Sequence, residues 1–215
     1  MAVIHHTVLK PTKLELLEAW LPTRPWYRAG AGAPVLSKAG GFRLDDPAGE
    51  VGIEFMVVAD AAAPEPVAYL VPLTYRGAPL AGAEEGLVGT MDHGVLGQRW
   101  AYDAGRDPVA VERLAALIAG EATPQHQSAS DTPAPEVVGA LSADTGPLPT
   151  AFPRVVDDAE GTLLTADSGH VLRLRRVLTA GPGPQGRPAL GAVTGVWTPS
   201  GGGELRGVFA TLHEG

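Results

Sequence analysis

The runs EVGIEFMVV at residues 50–58 and VAYLVPLTYR at residues 67–76 decide the fold. In the first, Val51, Ile53, Phe55 and Val57 fall on one face. In the second, Val67, Tyr69, Val71, Leu73 and Tyr75 alternate against Ala68, Leu70, Pro72 and Thr74. A two-residue apolar period is the signature of a β-strand. The Ala/Pro-rich connector at residues 59–66 has the length of a loose hairpin loop, so the two strands are expected to pair antiparallel. Pro72 has no N–H to give a ladder, which places it at an edge or a bulge.

Upstream, residues 2–9 (AVIHHTVL) read as a short strand. His5 and His6 are adjacent, so a strand sends them to opposite faces and they cannot chelate one metal. Thr12 and Glu15 form a capping box that opens a helix. Its apolar stripe is Leu14, Leu17 and Leu21, widened by Leu16 and Trp20, with Lys13, Glu15 and Glu18 left for water. Pro22 ends it, because the residue before a proline is pushed out of the α region.

Downstream, residues 95–102 (VLGQRWAY) read as a further strand. A second helix follows, with Asp107 at the N-cap, Pro108 at the first helical position and Gly120 beyond the end. Val111, Leu114, Leu117 and Ile118 form its stripe. Residues 121–135 are polar and Pro-rich, as a linker or long surface loop is. The remainder is expected to be β-rich, with strands at residues 137–141, 161–165, 170–178, 190–197 and 205–212 and a Gly-rich turn before the last. The expectation is an α+β chain: an antiparallel sheet packed on one or two helices over residues 1–120, a connector at 121–135, and a β-rich region at 136–215.

Composition excludes several functions. The chain has 215 residues, a net charge of −8 and no cysteine. That length buries a core without disulfide or metal staples. The negative charge opposes nucleic acid, which needs clustered cations; Arg173, Arg175 and Arg176 are a short exception. Without cysteine there is no thiolate nucleophile and no Cys-ligated metal. No charged-then-apolar leader and no run of about 20 apolar residues is present, so a cytoplasmic location is expected and a membrane partner is not.

Catalytic motifs are also missing. No phosphate-binding Gly-x4-Gly-Lys-[Ser/Thr] loop occurs, and Gly30-Ala31-Gly32 lacks the strand-to-helix setting of a dinucleotide fingerprint. Asp167-Ser168-Gly169-His170 suits a turn better than a nucleophile elbow. Asp92-His93, with Asp103 and Asp107, follow no metal-ligand template. The pairs Asp45-Asp46, Glu84-Glu85 and Asp157-Asp158 read as turns or solvated edges. Neither a metal nor a cofactor is expected.

The densest chemistry lies at Trp20-Leu21-Pro22-Thr23-Arg24-Pro25-Trp26-Tyr27-Arg28, in a chain that is only 6% aromatic. Trp26, Tyr27, Trp100 and Tyr102, with Tyr69 and Tyr75, suit stacking on sugar rings. They suit better a packed core with Arg24 or Arg28 laid over the rings, because a small antiparallel sheet needs aromatics to fill the space over its helix. The candidate ligand- or partner-binding set is Arg24, Trp26, Tyr27, Arg28, Tyr75, Arg76, His93 and Trp100.

These residues carry a resemblance. The helix end Trp20-Leu21-Pro22 with Arg24-Pro25-Trp26-Tyr27-Arg28-Ala29-Gly30, the strand Val71 to Arg76, and the run Gly89-Thr90-Met91-Asp92-His93-Gly94-Val95-Leu96-Gly97 through Trp100, Tyr102 and Asp103 resemble the N-terminal cap domain of maltokinases. Asp107-Pro108 opens the closing helix in the same order, and the resemblance covers roughly residues 1–120. It implies a cystatin-like cap, and in the full enzymes that cap precedes a body that phosphorylates maltose from ATP on the route from trehalose to α-glucan. A kinase body needs a phosphate-orienting lysine, a catalytic-loop Asp with a nearby Asn and a metal-binding Asp. Here Lys10, Lys13 and Lys38 are the only lysines, all in the cap-like region, and no His-Gly-Asp-like loop occurs.

The expectation is a non-catalytic accessory or regulatory protein of maltose, trehalose or α-glucan metabolism. Its partner would be a sugar kinase or glucan-metabolising enzyme. The alternative is a small carbohydrate-binding module using Trp26 and Trp100; an unrecognised glucan-active or sugar-phosphorylating enzyme ranks below both.

Overall fold

The computed structural model describes residues 9–215, apart from 29, 31, 63–64, 130, 144, 184–187 and 200. The elements run β1 (Leu9–Lys10), α1 (Lys13–Trp20), β2 (Leu36–Leu44), β3 (Gly52–Asp60), β4 (Val67–Arg76), β5 (Leu87–His93), β6 (Gly97–Asp103) and α2 (Pro108–Ile118). They continue as β7 (Gln125–His126), β8 (Val138–Leu141), β9 (Arg154–Asp158), β10 (Gly161–Thr165), β11 (Val171–Arg175), β12 (Gly191–Trp197) and β13 (Leu205–His213). Of the strand expected at residues 2–9, only its end is described as β1; the rest, with His5 and His6, lies outside the described residues.

The described residues form two antiparallel sheets. The first runs β1-β5-β6-β4-β3-β2-β7 and the second β8-β12-β13-β11-β10-β9. The hairpin expected from residues 50–76 is there as β3 and β4, in register with Phe55 opposite Pro72 and Met56 opposite Val71. Its alternation is buried on both sides. Ile53, Phe55, Val57 and Leu70 enter one core, while Met56, Val58, Tyr69, Val71 and Leu73 enter a second.

That second core is closed by α1 and the chain after it, through Leu17, Trp20, Leu21 and Trp26. The larger core lies on the opposite face. There α2 (Val111, Leu114, Leu117, Ile118) and the second sheet (Leu164, Leu172, Val193, Trp197, Phe209) pack on Phe42 and Phe55. Phe42 stacks on Phe55 at 4.6 Å between centroids and on Phe209 at 6.3 Å, so one aromatic ladder crosses from sheet to sheet.

Pro72 sits inside β4, and its neighbours explain why it is tolerated. β6 pairs only with Leu73–Arg76. Further back, the Leu70 N–H donates to the Arg176 carbonyl at 2.9 Å and the Leu178 N–H to the Ala68 carbonyl at 2.8 Å. By the two-residue period the nitrogens of residues 70 and 72 face the same way. Pro72 therefore falls in the gap between two partners, a local edge within an otherwise paired strand.

Both helix caps hold as read. Thr12 and Glu15 complete a capping box on α1, and the Asp107 carboxylate accepts from the Val109 N–H at the start of α2. Other expectations are corrected. Lys13 is not left for water: its ammonium binds the buried Glu54 carboxylate. The strand expected from residue 95 begins at Gly97, because residues 94–96 form the turn of the β5–β6 hairpin. Of the pair Asp157-Asp158, Asp158 serves the β9–β10 turn as expected, accepting from the Glu160 and Gly161 N–H groups, whereas the Asp157 side chain is buried. Among the described residues no helix is long and apolar enough to cross a membrane.

Candidate functional site

The aromatic–arginine segment leaves α1 through a short 3-10 turn at Leu21–Thr23, forced by Pro22. Trp26 then turns back under the first sheet and is 1% exposed. Its ring meets Trp20 edge-on at 5.8 Å and Tyr69 at 6.0 Å, and Tyr27 lies 5.6 Å from Tyr69. The Arg24 guanidinium covers Trp20 at 4.8 Å, and Arg176 covers Trp26 at 5.2 Å. The Tyr27 hydroxyl donates to Asp60 at 2.9 Å; burial first, then that hydrogen bond and the carboxylate charge, push its pKa up to about 12. The Arg28 side chain is exposed while its backbone N–H donates to the Tyr69 oxygen at 3.0 Å.

Trp100 belongs to a different neighbourhood. It pairs across the ladder with Arg76, and Tyr102 with Thr74. Directly opposed residues share a face, and Thr74 and Arg76 alternate with Tyr75 along β4. Trp100 therefore lies on the face away from Trp26, and the two tryptophans do not line one cleft. Arg76 is committed as well: it holds Asp107 through two bonds of 2.7 Å, which together with the Asp107 charge and that of Asp46 keep its pKa above the usual arginine value despite burial.

Tyr75 belongs to a buried polar knot on the α1 face. Its hydroxyl donates to Glu54 at 2.7 Å, Gln127 donates to the same carboxylate at 2.7 Å, and Lys13 is its ion-pair partner. Burial alone would push the Glu54 carboxyl up; the Lys13 charge and the bonds from Lys13 and Tyr75 hold it below the ordinary glutamate value. Burial and the neighbouring Glu54 carboxylate push Tyr75 far the other way. His93 caps a hairpin. Its Nδ1 accepts from the N–H groups of Val95 at 3.3 Å and Leu96 at 3.1 Å, holding a tip where Val95 is 61% and Leu96 44% exposed.

The strongest polar cluster was not singled out from sequence. Arg176 is fully buried and grips both Asp103 oxygens at 2.6 and 2.7 Å, while its Nε donates to Thr162 at 2.8 Å. Thr162 donates onward to Asp157 at 2.5 Å, and Asp157 faces Arg106 at 3.5 Å and Arg24 at 4.0 Å. The chain Asp103–Arg176–Thr162–Asp157–Arg24 thus ties the aromatic loop and β6 to the second sheet. Its members are far apart in sequence, Arg24 and Arg176 by 152 residues, so only the run Arg173, Arg175 and Arg176 hinted at it. Among the described residues no group of three or more potential ligands converges on a metal site.

Residues 20–107 match the maltokinase N-terminal cap domain family, a narrower span than the resemblance suggested and less than half of the chain. None of the curated proteins compared matches the chain.

Proposed function

For a chain whose residues 20–107 match a maltokinase N-terminal cap domain, we propose a non-catalytic accessory role: docking on a sugar kinase or glucan-metabolising enzyme of maltose or trehalose metabolism in the cytoplasm. In this reading the first sheet with α1 is a cystatin-like cap. The observation that carries it is the contrast within the matched segment. Trp26, Tyr75 and Arg76, three of the side chains suited to holding a sugar, are spent internally, with Trp26 packed at 1% exposure, while Val95 and Leu96 stand out at 61% and 44% on a hairpin tip held by His93.

The acids near the tip's base support it. Asp103 is bound by Arg176 and the Gly105 N–H, and Asp107 by Arg76 and the Val109 N–H. A carboxylate saturated by structural donors is poorly placed to take a substrate proton.

The test is capture of partners by the full chain, beside Val95→Asp/Leu96→Asp. Both positions are solvent-exposed, so the variant keeps its fold by circular dichroism. A sugar kinase or glucan-metabolising enzyme retained by the wild type and lost at least tenfold by the variant is the expected result. Equal retention by both, or transfer of the ATP γ-phosphate to maltose by the chain alone, overturns the proposal.

A further inference from the structure

The second sheet ends on β9, and among the described residues β10 is the only strand paired with it. No backbone hydrogen bond joins residues 154–158 to any other described segment. The backbone N–H and C=O groups on the far side of β9 therefore stand as a template for one more strand. The other sheet ends offer less. β8, at the opposite end of the same sheet, reads VGAL, with no charge to fix a register. In the first sheet β1 and β7 are described over two residues each, and β7 is bridged by Pro133.

The pairing with β10 sets the two sides of β9. Val155 and Asp157 lie opposite Leu164 and Thr162, both buried, so they face the core. Arg154, Val156 and Asp158 face the other way. All three are open to solvent: Val156 is 58% exposed, and the Arg154 and Asp158 side chains are 59% and 36% exposed. A charged residue on the core side of an edge strand guards against strand addition, because a new neighbour would bury it unpaired. Asp157 gives no such guard. Thr162 already donates to it at 2.5 Å, and the Arg106 guanidinium stands 3.5 Å away.

We infer that β9 is a homodimer interface, in which two copies of the chain pair their β9 strands antiparallel about a two-fold axis at Val156. The sequence RVVDD at residues 154–158 is complementary to itself in that register. Arg154 of each copy falls opposite Asp158 of the other, and the two Val156 side chains meet on the axis, as an isologous contact requires. Directly opposed unlike charges stabilise an antiparallel pair, and like charges oppose it. One step along the strand loses this match. Centred on Asp157, the pairing sets two aspartates against each other; centred on Val155, it sets Arg154 against Val156 and Pro153 against Asp157. Arg154 is able to change partners, because its ion pair with Asp167 at 3.3 Å is exposed on both sides and such pairs hold weakly. The chain has a net charge of −8, but each acid of β9 has its own arginine, Arg106 beside Asp157 and Arg173 on Asp158 at 3.0 Å. The strand itself carries no uncancelled negative charge to repel its copy.

The experiment is sedimentation equilibrium of the full chain over a wide concentration range, beside three single variants. The wild type is expected to show a monomer–dimer equilibrium. Val156→Lys sets two ammonium groups against each other on the axis, and Arg154→Asp sets aspartate against Asp158 twice. Each is expected to raise the dimer dissociation constant about tenfold or more. Val138→Lys, at an exposed position of β8, is expected to leave it unchanged. Amide hydrogen exchange in the wild type needs no variant: the β9 amides not bonded to β10 are expected to exchange more slowly as the concentration rises. A chain that stays monomeric leaves the edge to some other strand and overturns the assignment. So does a dimer that survives Val156→Lys and Arg154→Asp, one that is lost in Val138→Lys instead, or exchange at β9 that ignores concentration.

Discussion

Arg176 has a fully buried guanidinium held by Asp103 on one side and stacked over Trp26 on another. Burying two charges costs several kcal/mol each, and the pair recovers this only through close, well-directed bonds. Removing one partner strands the other. Arg176→Met or Asp103→Leu alone is therefore expected to cost about 3–5 kcal/mol in urea unfolding, whereas the double variant loses clearly less than the two combined. Single losses under about 1 kcal/mol would show that the seam is decorative. The same pair shows what a sequence conceals. Asp103 and Arg176 are 73 residues apart in the chain, and nothing local pairs the one with the other. By contrast, the cap at Asp107 needs only neighbouring residues, Pro108 and Val109, and was legible. Trp26 was legible as a large apolar residue beside arginines, but nothing local separated a core ring from a sugar platform. Its partners Met56, Tyr69 and Arg176 had first to be brought to it.

At the scale of elements, the readable strands were those with an apolar alternation of their own. β3, β4 and β11 all have it. β2 does not, because LSKAGGFRL places two glycines and a lysine where a strand would carry β-branched residues. It is a strand through its neighbours: β3 on one side, β7 on the other, and the Thr198 N–H donating to the Ala39 carbonyl at 2.8 Å. β5 (LVGTMDH) escaped for the same reason, although its Gly89 is required where a Cβ would meet Leu16 of α1 at 2.7 Å. Gly41→Ala tests the account of β2. A methyl group at φ +131°, 2.3 Å from a backbone oxygen, forces the strand off β3. The expected loss is about 2 kcal/mol or more in thermal or urea unfolding. A neutral Gly41→Ala would mean that the bulge accepts a side chain.

At the scale of the molecule, the first sheet is a layer with two faces in use. One face is closed by α1 and the aromatic–arginine loop, the other by α2 and the second sheet. The buried seam from Asp103 through Arg176 and Thr162 to Asp157 runs between those parts, and the bond from Leu70 to Arg176 joins them at the backbone. The segment matching a maltokinase cap therefore has its aromatic residues built into a body that the C-terminal sheet completes. Native-state amide hydrogen exchange tests this most directly, because it reports the opening free energy of each strand separately. If the cores and the seam act together, the slowest amides of β3 and β4 and those of β12 and β13 share one opening free energy and lose it together in Arg176→Met. A second sheet that opens well below the first, with β3 and β4 unchanged by that substitution, would contradict the account.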